Sequence, residues 1–126
     1  MFIILSIIYT KKNQSYFGLV SPFIRGLQTV LIIGGISGYS NSLTWVTGSL
    51  ILLRNLMGDF RDAGKDGEEG LKTIPVILGI KRNVPFLYFI FLLFTSSVWW
   101  LYSELSAIYL LIVLSIEATT YNWIKR

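Results

Sequence analysis

All three aspartates of this 126-residue sequence fall within one short stretch, Asp59-Phe-Arg-Asp62-Ala-Gly-Lys-Asp66. At about 100° per residue, a helix carries Asp59, Asp62 and Asp66 within an arc of roughly 60°. Asn55, one turn earlier, extends the stripe, while Arg54 and Arg61 are expected to point to the other side. Carboxylates gathered in this way repel one another unless a cation is present, and each one at bilayer depth costs about 2.5 to 3.5 kcal/mol. A hard divalent ion relieves both penalties. Mg²⁺ is commonly held by one or two carboxylates together with phosphate oxygens and waters, so an incomplete protein cage suits a diphosphate ligand. Asp59, Asp62 and Asp66 are therefore the candidate metal-ligating and catalytic residues. For the phosphate oxygens the candidates are Lys72 beside Thr73, Lys65 or Arg61 within the motif, and Arg25, with Asn55 as a further substrate-binding position. A plainer account of the same residues is a solvated loop whose charges neutralise locally, with Arg25, Lys81 and Arg82 as anchors reaching toward the membrane surface.

The residue types that are absent narrow the chemistry. The chain has no Cys and no His, so it has no disulfide framework, no imidazole base and no zinc-type ligand set. The alternating ligands of an EF-hand and the glycine-lysine pattern of a Walker A loop are also missing.

The elements that must position these groups are hydrophobic. Apolar residues make up 53% of the chain and charged ones 14%, a balance that soluble domains rarely show. The apolar residues also fall into long blocks, about the length needed to cross ~30 Å of hydrocarbon. The predicted architecture is an all-α transmembrane helical bundle. Its four complete spans cover about Pro22 to Tyr39, Leu43 to Gly58, Val84 to Tyr102 and Ala107 to Trp123, after a truncated first span at Met1 to Tyr9. Met1 to Tyr9 lacks the basic start and the cleavage site of a signal peptide. The second span is expected to run into a charged loop in which Gly64, Gly67 and Gly70 mark a fraying helix. Glu117, inside the last span, should face the bundle or water and make a structural hydrogen bond.

Charge bias gives an orientation. Lys11 and Lys12, the loop from 59 to 82, and Lys125 and Arg126 must share one side, and the two remaining connections carry no Lys or Arg. By the positive-inside rule the charged loop is cytoplasmic in an integral, multi-pass membrane protein. Tyr39, Trp45, Trp99, Trp100 and Tyr102 fall near the opposite face, where an aromatic belt belongs. The net charge of +4 serves to orient the chain in lipid, and no nucleic-acid partner is expected.

The stretch Arg54-Asn-Leu-Met-Gly-Asp59-Phe-Arg-Asp62-Ala-Gly-Lys-Asp66-Gly-Glu-Glu-Gly70-Leu-Lys72-Thr73-Ile-Pro75-Val-Ile-Leu-Gly79 resembles the second aspartate-rich motif of the UbiA superfamily of intramembrane prenyltransferases. The resemblance is carried by Asp62-x3-Asp66, by Gly70-x-Lys72-Thr73, and by the Pro-Val-x-Leu-Gly lead-in to the next helix, with Asp59 as the extra upstream aspartate. It implies a helical bundle around a central cavity in which two aspartate motifs bind Mg²⁺ and the diphosphate of an isoprenyl donor. The allylic carbon-oxygen bond would ionise, and an aromatic or lipid-type acceptor would attack the carbocation. Asp62 and Asp66 would be metal ligands, Asp59 a further one, and Lys72 and Arg25 diphosphate contacts. The family also uses an earlier aspartate motif, and these 126 residues contain no other aspartate. Residues 1–126 are accordingly expected to be the C-terminal part of such a domain, a fragment that is inactive by itself.

Two other function classes use similar residues. A non-catalytic membrane scaffold, or a degenerate remnant of such an enzyme, would keep the acidic segment for partners or cations without turnover. The CDP-alcohol phosphatidyltransferases also combine Mg²⁺ with aspartates, but their motif opens with Asp-Gly, an order that Asp62-Ala63-Gly64 does not satisfy.

Overall fold

A computed structural model describes residues 1–10 and 17–124. Lys11, Lys12, Lys125 and Arg126, which carry part of the charge-bias argument, lie outside the described residues. The elements are α1 (Phe2–Thr10), α2 (Phe17–Ser37), α3 (Ser42–Glu68), the single turn α4 (Ile74–Ile77), α5 (Pro85–Ser103) and α6 (Ala107–Ile124), and the described residues contain no strand. Helices adjacent in sequence pack side by side: α1 on α2, α2 on α3, α3 on α5, and α5 on α6. Their contacts run in opposite directions, as Ser6 meets Gln28 while Ser37 meets Thr44, and Ser96 meets Glu117. The result is an up-and-down row of helices with α3 in its middle.

Three helices are long and apolar enough to cross a bilayer, namely α2, α5 and α6. They make the chain a membrane protein by length and composition. The expected second span, Leu43 to Gly58, falls in the first part of α3, which carries Arg54 in its interior and is not among these three.

Backbones approach closely where α2 crosses α3. A Cβ added to Gly26 would stand 2.9 Å from Leu52 Cβ and 3.0 Å from the Gly48 carbonyl oxygen, and one added to Gly48 would stand 2.3 Å from Val30 Cγ2. Small residues at a crossing are how apolar helices gain contact when lipid is as apolar as the side chains themselves. At the end of the row bearing the α2–α3 and α5–α6 turns, Trp45 donates its indole N–H to the Tyr39 carbonyl at 2.8 Å. Trp100 does the same to the Ser106 carbonyl at 3.1 Å, so both rings are fixed with their polar edges on turn backbone.

The structure corrects the expected fraying at Asp59. The helix of the second span does not end at Gly58 but continues unbroken to Glu68. The segment before α5 supplies the reason. Asn83 Oδ1 accepts from the backbone N–H of Gly64 at 2.9 Å, and the Val84 N–H donates to the Phe60 carbonyl at 3.1 Å. Gly64 permits this approach, since a Cβ there would stand 3.1 to 3.2 Å from Asn83 and the Arg82 Cα. The helix stops only at Gly70, where φ is +72° and the Leu71 N–H returns to the Asp66 carbonyl at 2.8 Å. This bond from the second residue past the helix end, with a left-handed glycine before it, is the Schellman pattern.

Candidate functional site

Because α3 is continuous, Asp59, Asp62 and Asp66 are all held on one rigid element and share its face as the spacing requires. All three are partly buried. Asp59 and Asp62 line a cleft of about 320 Å³ together with Ile51, Arg54, Asn55, Gly58, Arg61 and Tyr88. A neighbouring cleft of about 360 Å³ is lined by Arg25, Gln28, Thr29 and Tyr9, and it shares Ile51 and Asn55 with the first. Asn55 thus stands on the wall between the two aspartates and Arg25. Its amide donates to the Ile51 carbonyl at 2.8 Å, which fixes the side chain along the helix.

Arg25 is exposed on α2 and lies over the Tyr9 ring at 3.7 Å, a cation–π contact that holds the guanidinium at the cleft. Asp66 stands one turn beyond Asp62, outside both clefts, near the end of α3. Lys72 and Thr73 fold back onto the start of α2: a Cβ on Gly18 would stand 3.1 Å from the Lys72 carbonyl oxygen and 3.2 Å from Thr73 Cγ2. Thr73 is buried, and its hydroxyl has no hydrogen-bond partner among the described residues. The structure therefore groups Asp59 and Asp62 with Asn55 and, across it, Arg25. Asp66, Lys72 and Thr73 follow along the same end of the row without entering either cleft.

One expectation about direction does not hold. Arg61 does not turn away from the carboxylates but binds Asp62 through two hydrogen bonds of 2.8 and 2.5 Å, with its guanidinium 4.6 Å from the centre of the Tyr88 ring. The cause is local, because neighbours on α3 flank the groove against α5 and Tyr88 offers Arg61 a flat face there. The hydrogen bonds that Arg61 donates to Asp62 raise its pKa above the ordinary value against the opposing effect of burial.

Arg54 turns toward α5 and α6 and marks a second polar centre. Its guanidinium donates to Thr95 Oγ1 at 2.6 Å, to the Leu92 carbonyl at 3.3 Å, to Ser96 Oγ, and to Glu117 Oε1 at 2.7 Å. Ser96 also donates to Glu117 at 2.6 Å. Glu117 is buried and faces the bundle, as its place in an apolar span requires. Sequence reasoning missed its partner. The available signal was Arg54 and Glu117, each well inside an apolar stretch, two charges that apolar surroundings drive to find each other.

As a metal site the acidic face is incomplete. Among the described residues no group of three or more acidic side chains is placed to hold a metal ion. Asp59 and Asp62 at one cleft do fit the simpler role of supplying one or two oxygen ligands to a cation whose other ligands come from a phosphate and water. The chain matches no protein-family model, no curated protein and no solved structure.

Proposed function

We propose that this chain is the second-aspartate-motif part of a membrane prenyltransferase, and that it contributes half of a Mg²⁺–diphosphate site. The observation that carries the reading is the placement of Asp59, Asp62 and Asp66 on the rigid outer half of α3, where two of them line a cleft that adjoins Arg25 through Asn55. The helix row supports a four-span topology in which the first part of α3 is the second span. In it the end bearing Asp59 to Arg82 faces the cytoplasm, since the opposite turns carry Glu104 and no Lys or Arg.

In this reading Asp59 and Asp62, at the cleft, would hold Mg²⁺, and Asp66, one turn further along α3, would be a further oxygen ligand near them. When bound, the ion neutralises the charge that builds on a leaving diphosphate. Arg25 and Asn55, which line the clefts, would orient the diphosphate oxygens, and Arg61 holds the Asp62 carboxylate in place. The donor's allylic carbon-oxygen bond breaks with its electron pair going to the diphosphate. The acceptor, an aromatic ring or lipid-type nucleophile, bonds to that carbon and gives up a proton. Apolar helix faces keep water from the carbocation.

A non-catalytic membrane scaffold is the second reading, favoured by the Arg61–Asp62 ion pair, which already satisfies one of the two motif carboxylates. The two are separated by binding of a short isoprenyl diphosphate analogue to the detergent-purified chain, with and without Mg²⁺, beside the variant Asp62→Ala, Asp66→Ala. Mg²⁺-dependent binding lost in the variant supports the transferase half-site; binding absent in both supports the scaffold.

A further inference from the structure

A glycine inside a helix weakens it, because no other residue gives up as much backbone freedom on ordering. Most glycines of this chain have a visible reason to be glycine. At Gly18, Gly26, Gly34, Gly48 and Gly64 a Cβ would stand 3.1 Å or less from a neighbouring residue. Gly38, Gly70 and Gly79 take positive φ in turns. Gly58 has neither reason. It lies well inside α3, its φ is not positive, and no atom beyond its chain neighbours and the helix's own backbone lies within 4 Å of where its Cβ would stand. Gly35 on α2 is as open, but it is exposed and lines neither cleft.

The open space at Gly58 is the acidic cleft itself, which Gly58 lines beside Asp59 and Asp62. The α3 residues of that cleft, from Ile51 to Asp62, form one stripe about 16 Å long at 1.5 Å of rise per residue. Its chemistry changes along its length. Ile51 makes the inner end apolar, the Arg54 guanidinium is committed to Glu117, and the carboxylates stand at the outer end. Gly58 falls at the transition, about 6 Å along the axis from Asp62 and about 10 Å from Ile51. A ligand with its anionic head at the carboxylates and its apolar chain directed toward Ile51 crosses Gly58 with its first carbons, and bare backbone lets them come close.

We propose that Gly58 is the specificity-determining residue of the acidic cleft, and that the first isoprene unit of the donor, methyl branch included, packs in the space its missing side chain leaves. The inference rests on the diphosphate reading of the same cleft. It adds the position at which an isoprenyl ester is told from diphosphate alone. Asp59 and Asp62 serve the head of the ligand whatever is attached to it, whereas Gly58 meets only the attached chain.

The test compares the affinities of the detergent-purified chain, with Mg²⁺ present, for a short isoprenyl thiodiphosphate and for inorganic diphosphate. The unaltered chain should prefer the isoprenyl compound. Gly58→Ala should reduce that preference about tenfold, the effect of one methyl group forced into an occupied space, and Gly58→Leu should abolish it. The melting temperature of Gly58→Ala should equal or exceed that of the unaltered chain, since alanine favours the helix and its methyl meets no neighbour. A lower melting temperature would make Gly58 a packing residue and overturn the proposal. So would an isoprenyl preference that survives both substitutions, with the diphosphate reading of the cleft left standing. Failure of the unaltered chain to bind either compound would overturn that reading and this inference together.

Discussion

At the residue scale the structure separates two kinds of charge. Arg54 and Glu117 neutralise each other inside the helix row, where the side chains are 30% and 10% exposed. Removing one member leaves the other facing apolar surroundings, so Glu117→Ala should cost about 2 to 3 kcal/mol, below the ~3 to 5 kcal/mol of a wholly buried pair because Arg54 retains some exposure. Replacing both by methionine should recover most of that loss. Unfolding of the variants in a detergent titration measures both outcomes. Arg61 and Asp62, on the outer half of α3, form the other kind. Because the Arg61 pKa is raised in the folded chain, its stabilising contribution is complete below the unfolded value and is lost only at more alkaline pH than that. The stability difference between the unaltered chain and Arg61→Ala should therefore stay constant from about pH 6 to 10, and a decline within that window would mean that the pair does not form as described. The aspartates were legible in the sequence because they are the only three and are spaced for one helix face. The Arg61–Asp62 pair was not, since neighbouring residues on a helix ordinarily diverge and only the Tyr88 ring on α5 makes the turn favourable.

At the element scale the decisive feature is the length of α3. Glycines at 64, 67 and 70 read as signals of a fraying end, and only Gly70 acts as one, through its positive φ. Gly64 serves a close contact instead, and nothing local announces that Asn83, far along the chain, will reach it. Asn83→Ala should loosen the outer half of α3 by about 1 kcal/mol, the net value of a hydrogen bond of this kind, seen as faster hydrogen exchange at the Gly64 and Lys65 amides with the inner half unchanged. The α2–α3 crossing makes a sharper prediction. Gly48→Ala drives a methyl into Val30 and should cost about 1 to 3 kcal/mol, while the double variant Gly48→Ala, Val30→Ala should regain most of it. Failure of Val30→Ala to compensate would mean that the two helices are not in register as described.

At the scale of the whole molecule, the apolar blocks foretold α2, α5 and α6 because a bilayer dictates both length and composition. The inner part of α3 was harder to class, as its arginine is acceptable only once Glu117 on another helix is known to meet it. The up-and-down order places the turns around Ser40 and Glu104 at one end, and Glu69 and Lys81 at the other. The chain has no cysteine, so single cysteines at these four positions can be labelled against no background. In sealed vesicles an impermeant thiol reagent should label Ser40→Cys and Glu104→Cys from one side and Glu69→Cys and Lys81→Cys from the other, and mixed labelling would overturn the four-span topology. The central claim, that the outer half of α3 binds a diphosphate through Mg²⁺, is tested most directly by the affinity of the purified chain for a short isoprenyl thiodiphosphate with and without the ion. Binding should strengthen at least about tenfold with Mg²⁺, or ~1.4 kcal/mol, and should lose this dependence in Asp62→Ala, Asp66→Ala. Binding that ignores Mg²⁺, or that survives the double substitution unchanged, would contradict it.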